Sequence, residues 1–136
     1  IADGGLKNSG DLAKAIGAGG DTAMIGGLFA GTAESPGDYF LENGAAFKVY
    51  RGLASREASA DRGKFESNKD RQERAAEGIS TTVSYKGEVA LIVQLLLDGL
   101  QSGMSYSGAK NIVDFWKKVS FVRVSEAGIR EGQPRP

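Results

Sequence analysis

Residues 1–32 read IADGGLKNSGDLAKAIGAGGDTAMIGGLFAGT, and the glycines cut that run into alternating units. Ile1-Ala2 has the character of a strand end, broken at Asp3-Gly4-Gly5. Ser9 is a suitable helix N-cap. Leu12, Ala15 and Ile16 follow at helical spacing, so a short amphipathic helix is expected over Asp11–Ala18, stopped by Gly17, Gly19 and Gly20. Thr22-Ala23-Met24-Ile25 is a short apolar strand closed by Gly26-Gly27, and Leu28-Phe29-Ala30 begins a second short helix. Strand, glycine turn, helix, strand, glycine turn, helix is a βαβα unit with parallel strands, which places the chain in the α/β class.

Downstream, Asp38–Leu41 and Ala46–Tyr50 flank Glu42-Asn43-Gly44, a hairpin signal carried by Asn-Gly. The stretch Arg51–Ala76 has Leu53 and Phe65 as its only large apolar residues. It buries too little surface to offset its ordering entropy, and is expected to be a mobile flap. Ser80–Tyr85 reads as a strand, and Val89–Ser102 as a mostly apolar, buried helix. Asn111–Val119 is a helix with Ile112, Phe115, Trp116 and Val119 on one face; Trp116 there is a packing residue. Phe121–Val124 alternates like a strand, and the tail beyond Gly128 is polar. Three stretches follow: 1–50, the two βα units with their glycine turns and the hairpin; 51–79, the flap; 80–136, C-terminal helices and tail.

Composition removes several chemistries. The chain of 136 residues has 17 Lys+Arg, 17 Asp+Glu, no His, no Cys and 20 Gly. Without Cys there is no disulfide, thiolate metal site or cysteine nucleophile. Without His the commonest general base and metal ligand are missing. Balanced charge argues against nucleic-acid backbone binding, which needs a cationic excess. No apolar run reaches the roughly 18 residues of a membrane span; Val89–Leu97 is interrupted by Gln94 and closed by Asp98. No membrane association and a cytoplasmic setting are the expectations. A single pair of parallel strands has no independent stability, and the chain opens on Ile1 rather than Met, so further protein is expected to complete the sheet.

Two consecutive βα turns with paired glycines suit an anion. Glycine lets backbone N–H groups approach without a Cβ in the way, and a helix start adds positive potential. In a (β/α)8 barrel the loops after the last two strands frequently form a phosphate site with a short extra helix, a description that Gly26-Gly27 before Leu28-Phe29-Ala30-Gly31 fits. Asp3, at the preceding strand end, can accept hydrogen bonds from both hydroxyls of a ribose. Glycines also serve tight turns alone, and Asp3 also suits a helix entry. Two other motifs fail. Gly103–Lys110 departs from a P-loop because Ala109 separates Gly108 from Lys110 and no Ser or Thr follows. Ser107-Gly108-Ala109-Lys110 fits S-x-x-K without the elements that accompany it.

In order along the chain stand Ile1-Ala2-Asp3-Gly4-Gly5, Met24-Ile25-Gly26-Gly27-Leu28-Phe29-Ala30-Gly31-Thr32, Glu34-Ser35-Pro36-Gly37, Tyr50-Arg51-Gly52, Glu77-Gly78 and Tyr85-Lys86-Gly87. Taken jointly, from Ile1 to about Glu131, they resemble the C-terminal part of the IMP dehydrogenase / GMP reductase family. The resemblance implies the C-terminal portion of a (β/α)8 TIM barrel: the last two βα units, hairpin, mobile flap and C-terminal helices. It implies an oxidoreductase acting on a purine nucleoside monophosphate (GMP, IMP or XMP) with NADPH or NAD, working as a homotetramer.

By position in that resemblance, Asp3 would hold the ribose hydroxyls. Gly5, Gly26 and Gly27 would offer backbone N–H groups to the 5′-phosphate, with the Tyr50 hydroxyl as a further donor. The backbone at Gly52, Leu53 and Ala54 would lie along the purine edge, and Glu77 would accept from a purine N–H. Tyr50 is also a reasonable hairpin aromatic, and Glu77 a reasonable solvated carboxylate. A monovalent cation, K+, would be held partly by Glu131, Gly132 and Gln133. The family's reactive Cys lies upstream of this stretch, so no catalytic residue falls within it.

The two branches of the family differ at the flap. Dehydrogenases use an Arg-Tyr pair there to activate water; here Lys69-Asp70-Arg71-Gln72 has Gln in the Tyr position. Gly27 replaces a dehydrogenase Ser. Tyr50-Arg51-Gly52 and Ala127-Gly128-Ile129-Arg130-Glu131 instead resemble bacterial dehydrogenases. The balance favours GMP reductase (GMP to IMP, with NADPH) over IMP dehydrogenase (IMP to XMP, with NAD). A reading of another class, a non-catalytic phosphate-binding or assembly module, also accommodates the missing Cys.

Overall fold

The computed structural model describes residues 1–52 and 80–132. Strand β1 (Ala2–Asp3) and strand β2 (Ala23–Met24) pair in parallel, with Ala2 opposite Ala23 and Asp3 opposite Met24. Helix α1 (Ser9–Gly17) crosses between them, so the expected βαβ order is present. A second sheet holds β3 (Tyr39–Glu42), β4 (Ala45–Arg51) and β5 (Ser80–Ser84) in antiparallel order β3-β4-β5. Helices α2 (Val89–Tyr106), α3 (Ile112–Lys118) and α4 (Glu126–Glu131) follow. The described residues form an α/β structure with two separate sheets.

Local chemistry explains these elements. Asn8, not Ser9, caps α1: its side chain accepts from Asp11 N at 2.9 Å, while Asp11 Oδ2 accepts from Lys7 N at 3.0 Å. The same device opens α3, where Asn111 accepts from Asp114 N at 2.8 Å and Asp114 accepts from Lys110 N at 3.0 Å. Helix α1 ends at Ala18 and turns through Gly19, whose N–H donates to Ile16 O at 3.0 Å. The hairpin loop is Asn43-Gly44 alone, both with positive φ; Glu42 belongs to β3, opposite Ala45. That conformation matches the right-handed twist of the flanking strands. Phe40 and Phe47 stack across the pair with centroids 5.9 Å apart.

The core sits between helices. Leu12 and Ile16 of α1, Leu96 of α2 and Phe115 of α3 are buried together, with Ile25, Leu28 and Phe29 packed against them. The edge of Trp116 supports the packing role expected of it, since its indole N–H donates to Ile16 O at 2.7 Å.

Three expectations need correction. Leu28-Phe29-Ala30 forms a single tight turn, with Phe29 N and Ala30 N donating to Gly26 O, because Gly31 takes a positive φ and ends it. Phe121–Val124 is not a strand: no neighbouring strand pairs with it among the described residues, and its large side chains are exposed. Helix α2 runs to Tyr106 and buries one stripe rather than its whole surface. Val89, Ile92, Leu96, Leu100 and Met104 face inward, whereas Leu91, Leu95 and Leu97 are exposed, because α1 covers only one side. The flap expected over 51–79 lies, beyond Gly52, outside the described residues.

Candidate functional site

The pairing of β1 with β2 fixes the relation of the two glycine corners. Asp3 and Met24 stand opposite each other in register, so Gly4-Gly5 and Gly26-Gly27 leave neighbouring strands at the same end. Gly4 and Gly5 take φ of +81° and +75°, a region costly for side chains with a Cβ. A Cβ built on Gly4, Gly5 or Gly27 would meet nothing within 4 Å, so these corners border open space. Asp3 is exposed at the same end.

Beside the second corner lies a cleft of about 690 Å³, within the range that holds a small-molecule ligand. Gly26, Phe29 and Ala30 form one side, the Glu34–Asp38 segment another, and Val49, Tyr50 and Arg51 of β4 the third. A Cβ on Gly26 would lie 3.6 Å from the Tyr50 hydroxyl. The structure therefore brings together Gly26 and Tyr50, two residues separated by the whole hairpin. Asp3, Gly5, Gly27 and Gly52 do not line this cleft. Leu53, Ala54, Glu77 and Gln133 lie outside the described residues. Glu131 and Gly132 sit at the end of α4, and among the described residues no group of three or more acidic side chains is placed to hold a metal.

The wall of the cleft is built by residues to which the sequence alone assigns no individual role. Thr32 is 1% exposed and Lys48 is 6% exposed. The Lys48 ammonium donates to Thr32 O at 3.0 Å, to Ala33 O at 3.3 Å, and to Ser35 O. Thr32 Oγ1 donates to Phe29 O at 2.9 Å, and Ser35 Oγ donates to Thr32 O at 2.9 Å. A buried cation gathering three carbonyls ties the 32–35 segment to the strand that carries Tyr50. Lys48 and Tyr50, two apart on β4, point to the same face. Glu34 reaches across to α2, where its Oε2 accepts from Val89 N at 2.8 Å and supplies the cap that Glu88 does not.

Behind the glycine corner stands Tyr85-Lys86-Gly87. Lys86 N donates to Gly31 O at 2.9 Å, and Ala33 N donates to Gly87 O at 2.8 Å. The Lys86 ammonium donates to Gly27 O and Leu28 O, each at 3.1 Å. Gly37, with φ +112°, lets the chain pass against the backbone of Val49; a Cβ there would collide with the Val49 carbonyl oxygen.

Comparison with known proteins places the sequence and fold in a family. A family model described as IMP dehydrogenase / GMP reductase domain matches residues 1–135. An inosine-5′-monophosphate dehydrogenase of Rhizobium tropici is 49% identical over 135 residues, covering 96% of this chain and 27% of that protein. One from Chlorobaculum parvum is 44% identical over 140 residues, covering 98% of this chain and 28% of that protein. A GMP reductase from Trypanosoma brucei, solved in complex with guanosine 5′-monophosphate, superposes with a TM-score of 0.86 at 43% identity, covering 98% of this chain and 27% of its own. The chain thus spans little more than a quarter of each of these proteins.

Proposed function

The chain belongs to the IMP dehydrogenase / GMP reductase family, and from that premise we propose that it forms the mononucleotide-gripping part of a purine nucleotide oxidoreductase. The fold proposed for the whole protein is a (β/α)8 barrel, to which β1, α1 and β2 contribute the last βα units. The observation that carries the reading is the juxtaposition of the two glycine corners at one end of a parallel pair, with the Tyr50 hydroxyl against Gly26.

Each residue has a chemical part. The Asp3 carboxylate accepts from ribose hydroxyls. Backbone N–H groups at Gly5, Gly26 and Gly27 donate to the phosphate, which glycine permits by leaving the approach open. The Tyr50 hydroxyl adds a neutral donor. These groups bind and orient the nucleotide, and none of them touches a reacting bond.

A nicotinamide cofactor supplies or accepts the hydride in such a reaction. The second hollow, about 390 Å³ beside Trp116, Val119 and Phe121, has no charged side chain in its lining for a dinucleotide's phosphates. No step is assigned to this chain through that cofactor. The proposed K+ site is Glu131, Gly132 and Gln133, where carbonyl oxygens and the Glu131 carboxylate are the candidate donors.

Between the two branches we favour GMP reductase, on Gln72 and Gly27 in the positions where the dehydrogenase resemblance places Tyr and Ser. The dehydrogenase reading has its own support in relatives such as those of R. tropici and C. parvum. An assay of the full-length protein separates them. NADPH oxidation driven by GMP is expected. NAD reduction driven by IMP, without the reductive reaction, selects the dehydrogenase. Absence of both activities together with no binding of either nucleotide overturns the proposal.

A further inference from the structure

Lys86 lies 59 residues from Gly27 in sequence, yet its ammonium holds the carbonyl oxygens of Gly27 and Leu28, each at 3.1 Å. Those two carbonyls belong to the corner where a Cβ on Gly27 would meet nothing within 4 Å. In a trans peptide the carbonyl and the following N–H point in opposite directions. Fixing Gly27 O on the lysine side therefore turns Leu28 N–H to the other side. Fixing Leu28 O likewise sets the direction of Phe29 N–H, which donates to Gly26 O at 3.0 Å. Gly26 O also accepts from Ala30 N at 3.1 Å. The carbonyls of residues 26, 27 and 28 are thus all engaged with donors, and none is left to repel an anion.

The lysine is held in place for this. Its own N–H donates to Gly31 O, and Gly87 beside it forms a parallel bridge with Thr32. The main chain at 86–87 is therefore docked on the far end of the turn, and the side chain reaches back to its start. A cation bonded to a peptide carbonyl polarises that peptide, so its N–H becomes a better donor. Its charge also adds positive potential to the site without itself contacting the ligand.

We propose that Lys86 is a positioning residue for phosphate: through the Gly27 carbonyl it aims and strengthens the Leu28 N–H, which joins the N–H groups of the Gly26-Gly27 corner in taking the nucleotide's 5′-phosphate. The inference rests on the mononucleotide reading above, and a phosphate-selective measurement separates the two. Affinities of the full-length protein for GMP and IMP, and for guanosine and inosine, would be measured by calorimetry in wild type, K86M and K86R, alongside Tm. K86M is expected to weaken the nucleotides about tenfold while leaving the nucleosides within about twofold, with K86R recovering part of the loss. Equal nucleotide affinity in wild type and K86M overturns the role of Lys86. So does a parallel loss for nucleotides and nucleosides accompanied by a lowered Tm, which is the signature of a plain loop tie. Should K86M fail to fold, K86Q carries the same comparison. A wild-type protein that binds neither the nucleotides nor the nucleosides overturns the mononucleotide reading itself.

Discussion

Lys48 shows how a charged side chain can be part of a wall. In the sequence it stands between Phe47 and Val49, where alternation assigns it to a solvated face. In the structure the 32–35 segment crosses that face and the ammonium is buried against three carbonyls. Replacing it by Met keeps much of the volume but leaves those carbonyls without their charged donor. Lys48→Met is expected to destabilise the protein by about 1.5–3 kcal/mol in denaturant unfolding. Asp3→Ala has the opposite profile. Asp3 is exposed, so its loss should leave stability within about 0.5 kcal/mol, yet weaken nucleotide binding by roughly 1–3 kcal/mol in a titration. An Asp3→Ala protein with full nucleotide affinity removes Asp3 from the site. Asp3 and Gly26 are legible as candidates because their residue types suit a sugar and an anion, and Tyr50 through the family resemblance. Lys48, Glu34 and Lys86 are not, because each acts through a contact between segments far apart in the chain, and such contacts leave no local pattern.

The secondary structure carries two devices with measurable consequences. Helices α1 and α3 open on the same Lys-Asn-x-x-Asp sequence, residues 7–11 and 110–114. The Lys14 ammonium, 2.8 Å away, and the Lys7 N–H hold the Asp11 carboxyl below the usual carboxylate range. The Lys118 ammonium, also at 2.8 Å, and the Lys110 N–H do the same for Asp114. A carboxyl with a lowered folded-state pKa stabilises the fold above its unfolded value of about 4, and that contribution disappears as pH falls through the folded value. The double variant Asp11→Asn/Asp114→Asn is therefore expected to be less stable than wild type at pH 7, and to converge with it as acidification passes through the lowered folded-state values. The α1–α2 contact supplies a second test. A Cβ on Gly99 would collide with the Ser9 side chain, whereas one on Gly103 would stand 3.1 Å from the Ala13 Cβ. Gly99→Ala should cost about 1–3 kcal/mol. Gly103→Ala should be close to neutral, since the helix preference for Ala offsets mild crowding. Helices α1, α2 and α3 are readable from apolar spacing and the hairpin from Asn43-Gly44, whereas α4, with Ile129 as its one large apolar residue, has no such signal. The cap of α1 was misread by one residue because Asn8 and Ser9 are both capping types. The 121–124 alternation misled because alternation describes a strand only when a partner strand is present.

Across the whole molecule, the described residues leave apolar surface facing outward. Leu91 and Leu95 of α2 are 64% and 67% exposed, and Val122 is 80% exposed. Leu91 and Leu95 stand one helical turn apart on the same face of α2, and exposed apolar surface of this kind marks a contact face. The 136-residue chain by itself is expected to bind a hydrophobic fluorescent dye, and Leu91→Ser/Leu95→Ser to reduce that binding without lowering Tm. Dye binding unchanged by the substitutions would show that these leucines do not form the patch. The sequence conveyed the α/β class, but not that one stripe of α2 turns outward, because hydropathy alone does not distinguish a residue covered within the chain from one left open.

Arg51 and Ser80 are ladder partners on adjacent strands. The intervening segment therefore departs and returns at a single doorway of the scaffold. Tethering a longer or shorter insert at such a doorway changes closure entropy only logarithmically, about 0.6 kcal/mol for each doubling. Natural variation or engineering can thus rewrite the length and composition of that insert while the β4–β5 ladder keeps its register.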